Sequence, residues 1–287
     1  MATHMATDQP DYFVPEPSKW PLVGAFALFF IGLGAALSIN QVGLGYGALA
    51  LGVAILLYML FGWFGDVIRE SQKGVYSKRV DISFRWGMGW FIFSEVMFFG
   101  AFFGTLFYVR MISVPELGDM THKLLWQDFI PSWPLRVAPG EVEPYQAMGA
   151  WGLPAINTII LLTSGATLTW AHWGLVKNLR KHLVLGLTVT VALGFLFLGL
   201  QMYEYHHAID EMNLTLASGV YGATFYMMTG FHGLHVMIGA IMLTVMLLRS
   251  ARGHFNADHH FAFEAAAWYW HFVDVVWLIL FVFVYWL

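Results

Sequence analysis

The chain has 287 residues, of which 59% are apolar, 17% aromatic and only 11% charged, with a formal net charge of −4. Soluble domains carry about a quarter charged residues, so a chain this poor in charge, with mean hydropathy +0.64, is a polytopic membrane protein. The acidic balance excludes a basic surface for nucleic acid, and the absence of cysteine excludes disulfides, thiolate metal centres and cysteine nucleophiles.

Residues 1–19 are polar, with Pro and Asp and no apolar stretch of the kind a secretory signal peptide needs, and are expected to form a cytoplasmic N-terminal segment. A spanning helix takes roughly 20 predominantly apolar residues. Trp20–Ile39 and Val42–Phe64 meet that requirement and are assigned as helices one and two over residues 20–67. Between them stand only Asn40, Gly43, Gly45 and Gly47, which read either as a tight turn or as a bend in one overlong helix. Trp86–Val109 qualifies with a single acid, Glu95, and predicts a third helix over 82–110. Residues 111–150, rich in Pro, Gly and acids, are expected to be an external loop. Trp151–Val176, Leu183–Tyr203, Leu214–Leu248 and Ala265–Leu287, the last containing Asp274, predict four more helices over 151–287. The sixth is longer than the hydrocarbon core requires and must tilt or project from it. The expectation is therefore an all-α membrane protein of seven transmembrane helices, without internal repeats.

With seven spans, Lys19, Arg69, Lys73, Lys78, Arg79, Arg85, Lys177, Arg180, Lys181, Arg249 and Arg252 share one side, out of 14 basic residues in all. Arg110, Lys123 and Arg136 lie on the other, at or within the single long loop. The positive-inside rule then puts the N-terminus in the cytoplasm and the C-terminus outside.

Ionisable groups at membrane depth cost several kcal/mol and usually face protein. Glu95, in Ser94–Phe99 (SEVMFF), reads as a neutral acid bonded to a neighbouring helix in preference to a proton relay. His232 and His235 share one helical face, as do His271 and Asp274 at the same spacing. A haem or metal needs several convergent ligands with outer hydrogen-bond partners, and a di-iron bundle needs two Glu-x-x-His motifs. Only Glu204–His207 fits that motif, so no metal ligands and no catalytic residues are assigned, and His271 with Asp274 is read as a hydrogen-bonded interhelical anchor. Gly100 and Gly104 form a GxxxG pair that predicts close approach of another helix, and Trp268, Tyr269, Trp270 and Trp277 form an aromatic stripe suited to a partner subunit. There is no Walker A loop, dinucleotide fingerprint, nucleophile elbow or HExxH, so an autonomous enzyme has no visible centre.

Several stretches, in order, resemble subunit III of the haem-copper cytochrome c oxidases. These are Asp66–Ser71 (DVIRES), SEVMFF, Pro115–Gly118 (PELG), Asn157-Thr158 with Ser164-Gly165, Thr169–His172 (TWAH), Gly230–Val236 (GFHGLHV), and His259–Phe261 (HHF) followed by Phe263–Trp277 (FEAAAWYWHFVDVVW). The resemblance runs from Ser18 to Leu287 and implies a fold of two helices splayed from a bundle of five, with a V-shaped cleft filled by phospholipids. It implies a non-redox subunit of a respiratory, proton-pumping oxidase. That subunit carries no cofactor of its own; subunit I holds the haems, subunit II the copper centre that receives electrons from cytochrome c. It implies lipid contacts at Arg69, Glu70 and Arg249, and buried structural roles for Glu95, His232 and His235. The usual double Trp before DVIRES is replaced by Trp63-Phe64-Gly65. The expected location is a bacterial inner membrane. A quinol-oxidase counterpart and an autonomous seven-helix transporter are the alternatives; relatives of the former lack the first two helices, which this chain has.

Overall fold

The computed structural model describes residues 14, 16–119, 121, 129–135 and 144–287. Lys123 and Arg136, used above for orientation, and most of the polar N-terminus lie outside the described residues. Among the described residues, seven helices are long and apolar enough to cross a membrane. The chain divides into two compact units, residues 1–86 and 87–287.

In the first unit, α1 (Trp20–Ile39) and α2 (Leu44–Gln72) form a hairpin. Gln41 takes a left-handed φ of 60°. The Val42 amide reaches the Leu37 carbonyl at 2.9 Å and the Gln41 amide the Ser38 carbonyl at 3.0 Å, the pair of bonds that ends a helix in a Schellman turn. The ambiguity over Asn40–Gly47 is thus settled as a tight turn. The hairpin then packs through small residues: a Cβ on Gly34 would lie 2.4 Å from the Leu49 amide nitrogen, and one on Gly52 2.6 Å from that of Ile31. Lipid tails give no hydrophobic reason for two apolar helices to associate, so close backbone approach and dispersion must supply it.

α3 begins at Lys78 and runs to Tyr108, then continues through a π-helical turn, Val109–Ser113, and a further helical turn to Leu117. This corrects the expected limits of 82–110 and of the loop at 111. Arg110, which ended the apolar stretch, donates to the main-chain oxygen of Leu287 at 2.6 Å, and Pro115, which has no N–H to donate back along the helix, stands just beyond the π-helical turn.

In the second unit α4 (Leu153–Val176), α5 (Arg180–Asp210), α6 (Gly219–Ala251) and α7 (Phe261–Leu280, prolonged by a π-helical stretch Phe281–Trp286) form the bundle. The α4–α5 turn uses Asn178 at φ 55° and the α6 end uses Gly253 at φ 79°. Both close as Schellman turns, with Leu179 N–H on Gly174 O at 2.7 Å and His254 N–H on Arg249 O at 3.1 Å. α6 starts at Gly219, later than the Leu214 expected, because Ser218 Oγ takes the Thr215 amide at 2.8 Å and holds that stretch as a turn. At 33 residues α6 is about 50 Å long, so it does outrun the hydrocarbon core.

α7 is the centre: 56% of its most apolar window is buried, against 11% for each of α1, α2 and α3. Trp270 is fully buried. Its indole N–H donates to Ser164 Oγ on α4 at 2.9 Å. Its ring lies where Cβ atoms on Gly194 of α5 and Gly239 of α6 would come to 2.6 and 2.8 Å. Trp277 repeats the arrangement, donating to Thr158 Oγ1 at 2.9 Å. The aromatic stripe therefore packs inside its own chain, not against a partner: Tyr269, Trp270 and Trp277 are buried and Trp268 alone is 37% exposed. Among the described residues nothing lies within 4 Å of a Cβ at Gly100 or Gly104, so no helix of this chain packs closely on that pair.

Gly194→Ala forces a methyl into the Trp270 ring and costs about 1–3 kcal/mol by overpacking. Gly199→Ala, on the same helix with open space around it, is neutral or slightly favourable. Thermal unfolding of the two variants in one detergent reads the difference.

Candidate functional site

Several polar groups within the spans pair across helices. Among them, Glu95 Oε2 of α3 meets His235 Nε2 of α6 at 3.0 Å. His235 Nδ1 sits 2.6 Å from the Phe231 carbonyl, which only accepts, so Nδ1 carries a hydrogen and one further proton joins Nε2 to Oε2. The imidazole is walled by Phe98, Phe99 and Tyr269. Glu95 is thus bonded to a neighbouring helix, as expected, by the second histidine of GFHGLHV. The first, His232, donates from Nε2 to the Val273 carbonyl of α7 at 3.2 Å and lies between Phe197 and Trp277.

His271 and Asp274 meet at 3.5 Å, Nδ1 to Oδ2. His271 Nε2 reaches Thr169 Oγ1 of α4 at 3.4 Å, and the Asp274 carboxylate occupies the space that a Cβ on Gly165 would take, 2.4 Å from Oδ2. The pair anchors α7 to α4. A further buried acid, Glu204 of α5, accepts from the Tyr285 hydroxyl at 2.7 Å. The sequence showed Glu204 only as part of a lone Glu-x-x-His; its partner, 81 residues away, left no local signal. His207 instead pairs with Glu211 at 3.1 Å.

Of the residues expected to touch lipid, Arg69 pairs with Asp66, whose other oxygen takes the Trp20 indole N–H at 2.6 Å. Glu70 accepts from the Tyr76 hydroxyl at 2.7 Å. Burial, reinforced by the Glu70 carboxylate, holds the Tyr76 phenol above its ordinary range, so it remains a donor at physiological pH. Arg249 is different: it is only 6% exposed, its guanidinium lies 4.4 Å over the Phe255 ring, and its Nε has no hydrogen-bond acceptor among the described residues. A buried charge without a hydrogen-bonded partner is costly, and an anionic oxygen supplied from outside the chain would satisfy it.

The described residues also contain one cluster that the sequence reading passed over, His172, His260 and Glu264. The His260–Glu264 spacing of one helical turn was visible; the approach of His172 from α4 was not.

The family described as Cytochrome c oxidase subunit III matches residues 10–287. Relatives named cytochrome c oxidase subunit 3 include those of Tetraodon nigroviridis, 42% identical over 98% of this chain and 99% of the relative, and Scyliorhinus canicula, 43% identical over the same shares. That of Prototheca wickerhamii is 41% identical over 96% of each.

His235→Leu leaves the Glu95 carboxyl without its partner and costs about 1–3 kcal/mol, whereas Glu95→Gln keeps a hydrogen bond to Nε2 and loses less. A double-mutant cycle on thermal stability is expected to give a coupling on the order of 0.5–2 kcal/mol.

Proposed function

The chain belongs to the cytochrome c oxidase subunit III family and serves as that subunit in an oxidase complex; from this we propose that it carries no redox centre and acts by fastening lipids and partner subunits. Oxygen reduction to water belongs, in this reading, to subunits I and II, which hold the haems and copper and receive electrons from cytochrome c. This subunit steadies subunit I during turnover and supports proton uptake. The observation that carries the reading is the employment of the buried ionisable groups. Glu95, Glu204, His232, His235 and Asp274 are engaged between helices of their own chain. A redox ligand set would need such groups turned toward a cofactor.

Lipid binding follows from the buried cation among these groups. The buried Arg249 guanidinium, with an unmatched Nε beside Phe255, suits a phospholipid phosphate, which takes arginine through paired hydrogen bonds. Arg69, half of an exposed pair with Asp66, and Glu70, held by Tyr76, are weaker headgroup contacts. The basic residues at the ends of α2, α4 and α6 support a cytoplasmic N-terminus. The location proposed is a bacterial plasma membrane.

Arg249→Ala is expected to release bound anionic lipid and shorten the working life of the oxidase while leaving its initial rate near normal. Native mass spectrometry counts the lipids and a turnover time course follows inactivation; unchanged lipid content would reject the assignment. Because the chain has no cysteine, single cysteines can report topology. One replacing Gly253 should react with impermeant maleimide only from the cytoplasmic side, and one replacing Asn213 only from the other.

A further inference from the structure

His172, near the end of α4, faces the beginning of α7, where His260 precedes the helix and Glu264 stands one turn in. Glu264 Oε1 lies 3.2 Å from His260 Nε2 and 3.8 Å from His172 Nε2. One donor atom from each residue falls within 4.8 Å of the other two. The two imidazoles meet edge to face with centroids 5.7 Å apart, and His172 packs on Phe263.

The proton positions make the cluster informative. His260 Nδ1 is 3.0 Å from the Asn256 carbonyl. That oxygen can only accept, so Nδ1 carries the hydrogen and Nε2 of the neutral ring presents a lone pair to the Glu264 carboxylate. Two lone pairs at 3.2 Å repel unless something positive sits between them. His172 Nε2 turns toward the same oxygen, and it is buried without a hydrogen bond among the described residues. Asn256 is itself fixed, its side-chain oxygen accepting the amides of Asp258 and His259 at 3.0 and 2.8 Å.

We propose that His172, His260 and Glu264 form a binding site for one redox-inert divalent cation of the zinc type. Two imidazoles and a carboxylate are a known donor set for zinc, with a fourth position left to water. Metal–ligand bonds of about 2.0–2.2 Å place tetrahedral donors roughly 3.3 Å apart. The 3.2 Å pair already fits, and the 3.8 Å pair closes with a small rotation of the His172 ring. The Asn256 carbonyl supplies the outer hydrogen bond that selects the tautomer and aims Nε2 at the metal. Imidazole donors disfavour magnesium and calcium, which prefer oxygen. Bound there, the cation ties the start of the central helix α7 to the end of α4, and with it the 252–260 turn. The site rests on its own geometry and does not depend on the oxidase assignment.

The test uses the purified complex, stripped with chelator and then given zinc chloride alone. Modification of histidines by diethyl pyrocarbonate, read peptide by peptide in a mass spectrometer, should slow at His172 and His260 at micromolar zinc while exposed His182 is unchanged. Glu264→Gln should raise the zinc concentration for half protection at least about tenfold. Labelling of His172 and His260 that zinc does not alter would overturn the site in favour of a protonated His260 paired with Glu264. Equal protection of His182, or protection unaffected by the substitution, would overturn it as non-specific binding.

Discussion

An indole N–H in a core without water must find an acceptor, because the unmatched group costs about 1–3 kcal/mol; Trp270 therefore dictates what its three neighbours can be. It requires a hydroxyl on α4, found in Ser164, and a missing side chain on each of α5 and α6, found in Gly194 and Gly239. One residue of α7 thus fixes the approach of three helices at once. Trp277, two turns on, repeats the demand on α4 through Thr158 and packs against Phe197 and His232 at ring distances of 4.8 and 5.0 Å. The FEAAAWYWHFVDVVW segment is therefore a packing code: bulky donors on α7, hydroxyls on α4, glycines on α5 and α6.

The acids within the spans obey the same economy. Three have a donor on another helix or at a distant position in the chain: Asp66 with Trp20, Glu95 with His235, Glu204 with Tyr285. Asp274 shares His271 with α4 through Thr169. Such bonds are modest singly, averaging about 0.6 kcal/mol in a membrane. Their directionality sets helix register, which dispersion between apolar surfaces does not. Titratable groups paired in this way serve packing and helix register. The proposed cation at His172, His260 and Glu264 would add one more tie of the same kind.

Much of the architecture was legible because charge and length are one-dimensional signals. Trp20–Ile39 was read with the bounds the helix has, and the other spans erred mainly at their ends. There, helices such as α2 and α5 carry polar turns beyond the apolar window, and α3 runs on past Arg110, whose guanidinium reaches the main-chain oxygen of Leu287. Pairings were less visible. His235 was one of two histidines on a face, and nothing local tells which meets Glu95. Glycine spacing shows the same limit: no described residue of this chain packs on Gly100 or Gly104, whereas Gly34 and Gly52, at no such spacing to each other, carry the α1–α2 contact. Sequence period identifies a face; only the partner helix determines whether that face is used.

The central claim is that electrons do not pass through this polypeptide, and spectroscopy of the chain alone addresses it most directly. After separation from the other oxidase subunits, the purified chain should show no visible absorption band and no paramagnetic signal. A haem band, or a copper or iron resonance that remains with the isolated chain, would contradict the account.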